Sequence, residues 1–433
     1  MMRKTEVQKI LFDEISKMPV IDTHEHLAWD DGARNAQTND VLSEYLIHYM
    51  SSDIISSGMK RADFDRVTDV RGDIAERWKI VEPYWEFCRY TGYGRSLDIA
   101  VKAIYGIDGI HACTIEALND AFLKNRVDGH YKRVLRDLCN IETSLLDCGW
   151  FRFDGESDII KRVWQPGGYY MSDEFEGWDI IDYMKNKLSI DVKSIDDWLA
   201  AFETELDYFV KTYDMHVLKC ASAYGRTLKF DKVPYTDAKE QFAKSLAMRE
   251  TVTDGKRRGL KINHDLQNYI MHHILKCANE RGMTYQFHTG HLEGNGNTIS
   301  NSDPSLLTNL FFEYPNVTFD LFHISYPYQN LASSLAKMFP NVTIDMCWAH
   351  IMSSPASVAA LDDFLDAVPY NKISAFGGDY CFVDGVYGHL HISRENVSRV
   401  LAKKVCEGVF SENKALDIAK ALYYDNPKRI FQL

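Results

Sequence analysis

From Ile141 to the C-terminus the sequence alternates short apolar runs with helical stretches of roughly ten to twenty residues, and few folds are compatible with that alternation. The runs are Ile141–Cys148, Asp158–Trp164, His216–Ser222, Met283–Gly290, Val317–His323, Val342–Trp348 and Lys372–Asp379, and one more, Val20–His24, lies near the N-terminus. Eight strands with helices between them predict an α/β fold, a (β/α)8 TIM-type barrel, whose active site lies where the strands end. Between residues 40 and 137 the apolar spacing is helical and aromatic-rich, as in RWKIVEPYWEFCRYTGYGRSL. The expected organisation is therefore one domain over residues 1–433, with a large helical insertion after strand one that caps the barrel mouth. Within it, Gly92 and Gly94 interrupt the helical pattern and predict a tight loop.

Composition narrows the function. A formal net charge of -13 disfavours nucleic acid and anionic membrane as partners, since both reward basic patches. A small-molecule substrate is expected, with further copies of the chain as a homo-oligomer. The nine cysteines include no CxxC pair and read as reduced thiols. MMRKTEVQKILFDEISKM is a charged amphipathic helix without a signal peptide's apolar run, and no stretch reaches about 18 apolar residues, so a cytoplasmic protein is expected.

Chemistry enters with PVIDTHEHL, Pro19 to Leu27. In an extended chain His24 and His26 share a face while Glu25 points away, so two imidazoles could hold one cation. Of the fifteen histidines, His272 and His273 fall mid-helix, and His48, His111 and His130 fall in the helical excursion, where structural or surface roles are expected. A different set closes strands: His24 and His26 on the first, Lys219 on the fourth, His288 on the fifth, His323 on the sixth and Asp379 on the eighth. A barrel would bring all six to one mouth. Imidazole and carboxylate are ligands of zinc and similar divalent ions, and catalytic sites keep one position open. An ammonium beside a cation is unfavourable, so Lys219 must be neutral, point elsewhere, or be carboxylated into an anionic ligand.

These residues resemble the amidohydrolase superfamily. The resemblance rests on the HxH of strand one, on His288 and His323, and on Asp379 in FGGDY. In HVLKCASAYGRTLKF, FHTGH, FHISYPY and LASSLAKMFPNVTIDMCW it is similar to a subgroup that includes the barrel domain fused to some glutamine-synthetase-like proteins. It covers about residues 192–433 plus the first strand. It implies a divalent metal, zinc by expectation, that activates water, with Asp379 as ligand and proton shuttle and with Gly377 and Gly378 allowing close backbone approach. His24, His26 and Asp379 would hold the deeper ion. A carboxylated Lys219 would bridge to a second ion on His288 and His323. Otherwise one ion is bound, His288 joins its ligands, and His323 is free to polarise the substrate carbonyl.

Specificity is expected from loops. Tyr224 and Arg226 follow strand four, and an arginine there can pair bidentately with a substrate carboxylate. His291 and Glu293 follow His288, Tyr326 and Tyr328 follow His323, and Trp348 and His350 close strand seven. His389 and His391 are expected in a loop after strand eight. The function implied is a hydrolase of a small amide, lactone or ester bearing a carboxylate. The alternative is a lyase or isomerase on the same scaffold, a decarboxylase or an enzyme of the uronate-isomerase kind.

Overall fold

The computed structural model describes residues 2–149, 155, 157–171, 180–248 and 260–433, and eight parallel strands carry it. They are β1 (Val20–Glu25), β2 (Ile141–Asp147), β3 (Ile160–Val163), β4 (Val217–Cys220), β5 (Thr284–Phe287), β6 (Thr318–Leu321), β7 (Val342–Asp345) and β8 (Ile373–Ser374). Each lies at its expected run. The strands pair in chain order as β1-β2-β3 and β4-β5-β6-β7-β8, all parallel. Main-chain hydrogen bonds join the two sheets at both seams. Between β3 and β4, Trp164 N–H donates to Val217 (3.2 Å) and Lys219 N–H to Trp164 (2.9 Å). Between the chain after β8 and β1, Thr23 N–H donates to Phe376 (3.1 Å) and Asp379 N–H to His24 (2.8 Å). The ladder thus runs round to its start, in the manner of a TIM-type barrel.

The interior is polar, whereas bulky aliphatic layers usually fill such a barrel. The parallel register sets Lys219 beside Gln286, Gln286 beside Asp320, and Asp320 beside Thr343, while Asp22 faces Ser144. Asp22 accepts from Ser144 Oγ (3.1 Å) and from Gly378 N–H (3.0 Å). Asp22 neighbours Glu25 and Asp320 neighbours Asp345, and burial raises all four carboxyls, with the charge of the neighbouring acid adding to the rise at Glu25 and Asp345. Burial raises Asp22 to about 6 and Asp320 to about 7. Glycine is required against this layer. A Cβ on Gly378 would run into the Glu25 carboxylate, and one on Gly377 into Thr23 and Cys347, which is the close approach expected of that pair.

Between β1 and β2 the chain is helical from Asp31–Ala36 to the π-helical Lys132–Leu138. Gly92 and Gly94 do not form a loop there; they open the helix Gly92–Tyr105, where Thr91 caps the first turn and Gly92 lies against the Ile351 carbonyl. His389 and His391 are likewise not on a loop. They belong to the helix Val383–Cys406, whose Gly388 backs onto the Ser96 carbonyl. In both places glycine marks close helix packing and not a break.

Asp384, fully buried in that helix, ties the excursion to the barrel. Its carboxylate accepts from Tyr45 OH, Tyr105 OH and His130 Nε2, each at 2.6 Å. Burial opposes its charge, but the hydrogen bond and charge of His130, with Arg34 and Tyr105, win and hold it at about 2. A folded pKa below the unfolded value of about 3.9 gives stability that is complete above the unfolded value and lost as pH falls towards the folded one. Asp384→Ala leaves three buried donors unpaired and is expected to cost about 3 kcal/mol in urea denaturation at neutral pH. The variant should also lose the wild type's pH dependence of stability between roughly pH 4 and 2 that this group supplies. Wild-type stability in the variant would show that the tie carries no weight.

Candidate metal centre

The strand ends bring His24, His26, Lys219, His288, His323 and Asp379 together. Asp379 Oδ1 lies 3.2 Å from His26 Nε2 and 3.8 Å from His24 Nε2, and its Oδ2 lies 3.9 Å from His323 Nε2. His323 Nε2 is 3.3 Å from His288 Nδ1, and Lys219 Nζ is 3.4 Å from His24 Nε2. Lys219 reaches this point over the face of Phe322, 3.9 Å from the ring centre. His24 is buried, and His26 is open to the mouth with 40 % of its side chain exposed.

The tautomers follow from the partners on the far side of each ring. Gln286 Nε2 donates to the Thr23 carbonyl (2.9 Å), so its Oε1 faces His24 Nδ1 (3.1 Å), which must carry the proton. His323 Nδ1 donates to the Cys347 carbonyl (2.9 Å) and His288 Nε2 to the His291 carbonyl (2.8 Å). The inward nitrogens, His24 Nε2, His323 Nε2 and His288 Nδ1, therefore present lone pairs. Burial lowers all three pKa values, helped at His24 by Lys219 and at His288 by His323, with His323 brought to about 4. Two lone pairs facing each other at 3.3 Å repel unless a cation sits between them. Tetrahedral ligands about 2.0–2.1 Å from an ion are about 3.3 Å apart, close to these separations. The donor set fits a divalent cation.

Asp379 stays ionised: burial pushes it up, but His26, by hydrogen bond and charge, together with His24 and His323 holds it well below the usual carboxylate range. Burial works against charge on His26 too, and Asp379 outweighs it and raises that imidazole. The backbone here is strained. His48, His323, Ile324, Ser325, Trp348 and Asp379 all have φ between 49 and 63°. Left-handed L-residues cost on the order of 1 kcal/mol or more each, and such outliers gather at functional sites.

Other expected residues divide. The Tyr224 ring is 4.9 Å from that of His288, and its hydroxyl accepts from Glu293 N–H (3.0 Å). His291 lies 5.3 Å from Trp348 and 6.5 Å from Tyr326. Arg226 is turned to other work, against the expectation that it meets a substrate carboxylate. Its guanidinium donates to Gln267 (3.0 Å), Asn268 (2.8 Å), and the carbonyls of Thr227 (3.0 Å) and Lys229 (2.6 Å), and it packs over Phe230. His350 also faces inward, bonded to the Ala375 carbonyl and Asn396.

Three residues were missed. Asp147 ends β2 with its carboxylate 3.9 Å from His24 Nε2, and the strand-end rule that picked the others would have found it. His48 and Tyr49 come from the excursion: His48 lies 6.4 Å from His26, and Tyr49 OH donates to the Asp379 carbonyl (2.6 Å) and stacks on Trp348 at 4.5 Å. Nothing in the local pattern distinguishes them from packing residues.

Residues 207–433, more than half of the chain, match the family described as Amidohydrolase. The chain belongs to the amidohydrolase family. Among curated relatives of this amidohydrolase-family chain, protein fluG of Emericella nidulans is 30% identical over 163 residues. That match takes in 37% of this chain and 19% of fluG, so the chain spans about a fifth of that relative. Among solved structures, uronate isomerase of Thermotoga maritima superposes with a TM-score of 0.79 at 18% identity, covering 98% of this chain and 97% of that one. Glucuronate isomerase of Caulobacter crescentus gives 0.75 at 17%, covering 99% and 94%. At those identities the likeness is one of fold. Family and fold together make the protein an amidohydrolase-superfamily enzyme.

Gln286 sets the His24 tautomer, so the apolar replacement Gln286→Met should weaken metal binding about 10- to 100-fold without unfolding the barrel. Chelator competition measures this. Unchanged affinity would mean that His24 is oriented by something else.

Proposed function

We propose that this amidohydrolase-family enzyme is a metal-dependent hydrolase of a small amide, lactone or ester. The observation that carries the reading is the set of inward lone pairs around an ionised Asp379. His24, His26 and Asp379 Oδ1 would hold one divalent ion, zinc by preference for this donor set, and His288 with His323 a second, bridged by carboxylated Lys219. When bound, such an ion lowers the pKa of water and polarises a substrate oxygen. The rest falls to the chain's own side chains. Asp379 Oδ2 faces away from His24 and His26 and is placed to take a proton from water and return it to the leaving group. His323, with its proton on Nδ1, acts as a ligand in this reading and not as a donor to the substrate carbonyl. Trp348, stacked on Tyr49, which stacks on Tyr93 at 5.2 Å, supplies an apolar wall that limits water around the reacting group. The helical stretch over residues 40–137 acts as the cap that delivers His48 and Tyr49. Tyr224, His291 and Tyr326 line the substrate entrance.

One observation favours a second reading, an isomerase of sugar acids. The likeness to the Thermotoga maritima uronate isomerase extends over 98% of this chain and 97% of that one. Metal-loaded enzyme incubated in 18O-water with simple lactones, esters and amides, and separately with uronates, tells the two apart. Label in a carboxylate product supports hydrolysis; ketose formation from a uronate with no acyl label replaces it with the second reading.

Elemental analysis is expected to find one ion fewer per chain in Lys219→Ala than in the wild type, and part of the variant's activity should return with a short carboxylic acid. A count unchanged by the mutation would end the two-ion proposal.

Asp379→Asn keeps the shape but cannot take a proton. It should stay folded and lose at least about 100-fold in turnover. Turnover like the wild type's would show that the proton goes elsewhere.

A further inference from the structure

A second set of metal-ligating side chains lies on the outer helices, away from the strand ends. The helix His264–Arg281 carries His273 and Cys277 four residues apart, so both sit on one face one turn from each other. The neighbouring helix Ile195–Tyr213 brings Glu203 to the same place. His273 Nε2 is 2.9 Å from Glu203 Oε1 and 3.7 Å from Cys277 Sγ, and all three donor atoms lie within 4.8 Å of one another. Both partners approach the same ring nitrogen, so an ion on its lone pair would touch the carboxylate and the sulfur together. With zinc bonds of about 2.0–2.1 Å to nitrogen and oxygen and about 2.3 Å to sulfur, a tetrahedral site needs about 3.3 Å between nitrogen and oxygen and about 3.6 Å between nitrogen and sulfur. The two separations from His273 need to change by a few tenths of an ångström, and the Glu203 oxygen and Cys277 sulfur, now within 4.8 Å, would settle about 3.6 Å apart.

The three ligands differ in burial. Cys277 is buried, His273 half-buried and Glu203 exposed. The exposed Glu203 leaves the place where the three donors meet open to solvent, and His273 also borders a cleft of about 440 Å³ lined by Tyr269, Lys276 and Glu280. We propose that Glu203, His273 and Cys277 form a peripheral thiolate–imidazole–carboxylate site for zinc or a similar borderline-soft divalent ion, independent of the centre at the barrel mouth. It joins two helices that flank β4 and β5 in the chain and would clamp them together. Burial, with the charge of Glu203, pushes the Cys277 thiol up to about 11, so binding releases a proton and tightens as pH rises.

Cobalt(II) alone is the probe, added to the full chain and followed by sulfur-to-cobalt charge-transfer absorption and by bound equivalents. Wild type should show the thiolate band. Cys277→Ser should lose it together with one equivalent. Cys347→Ser should keep it, since Cys347 is the thiol grouped with His323 and Asp379 at the mouth. His273→Gln, which leaves the sulfur in place, should weaken cobalt binding at this site at least about tenfold. Far-UV circular dichroism verifies folding, and if Cys277→Ser misfolds, His273→Gln decides. A wild type without the band at saturating cobalt, a band that survives Cys277→Ser, or unaltered binding in His273→Gln would each overturn the proposal.

Discussion

The carboxylate of Asp379 stands between two nitrogen groups, with one oxygen towards His24 and His26 and the other towards His323. Much of the architecture serves that placement. The residue's own φ of 58° swings its side chain inward, at a cost aspartate bears better than most. Its N–H is held by the His24 carbonyl across the last seam of the barrel, and its carbonyl is capped by Tyr49 from the helical excursion. The preceding Gly377 and Gly378 let this segment sink onto Thr23 and Glu25. Barrel closure, helical excursion and site geometry are thus one problem, solved at one residue.

The polar interior is the counterpart of that solution. Hydrophobic packing alone would give a more stable barrel, since each buried carboxyl carries a desolvation penalty that only hydrogen bonds offset. Here burial raises the acids towards their neutral form, Asp22 and Asp320 accept from Ser144 and Thr343, and the amide of Gln286 spans Thr23 and His24. The same burial that makes these groups expensive lowers the imidazoles of His24, His288 and His323 towards the neutral state, in which nitrogen donates to a cation. Stability is given up beneath the site so that the donors above it are oriented before any ion arrives.

The barrel was legible because its signals are local and repeated: eight apolar runs, each near its observed strand, and chemistry-bearing residues at their ends. His24, His26, Lys219, His288, His323 and Asp379 were legible by the same rule, and Asp147 would have been had the rule been applied to β2. What was hidden depended on tertiary contact. Glycines at 92 and 94 read as breaks, yet they open a helix where a Cβ has no room, and nothing in the sequence says which neighbour will press there. His48 reads as a structural or surface residue because it falls in the helical excursion, Tyr49 beside it carries no signal of its own, and only the fold brings the two to the mouth. Arg226 misled for the opposite reason: its place after a strand was right, but Gln267 and Asn268, from a distant helix, take its donors.

That last point bears on what the mouth can recognise. With Arg226 committed, the groups seen around the entrance among the described residues are largely neutral: Tyr224, Tyr49, Tyr93, Trp348, and the imidazoles of His48 and His291, both of which burial keeps low. Glu293 adds a carboxylate, raised by burial and by the charge of Asp379. In the proposed hydrolase such a wall would grip a substrate by ring faces and hydrogen bonds to uncharged oxygens and nitrogens, while Asp379 and the surrounding histidines would act on one polar bond. On that proposal, discrimination between substrates would rest on unpaired hydrogen-bonding groups more than on charge, since a site of that kind rejects a ligand lacking the matching donor far more strongly than one lacking a methyl group.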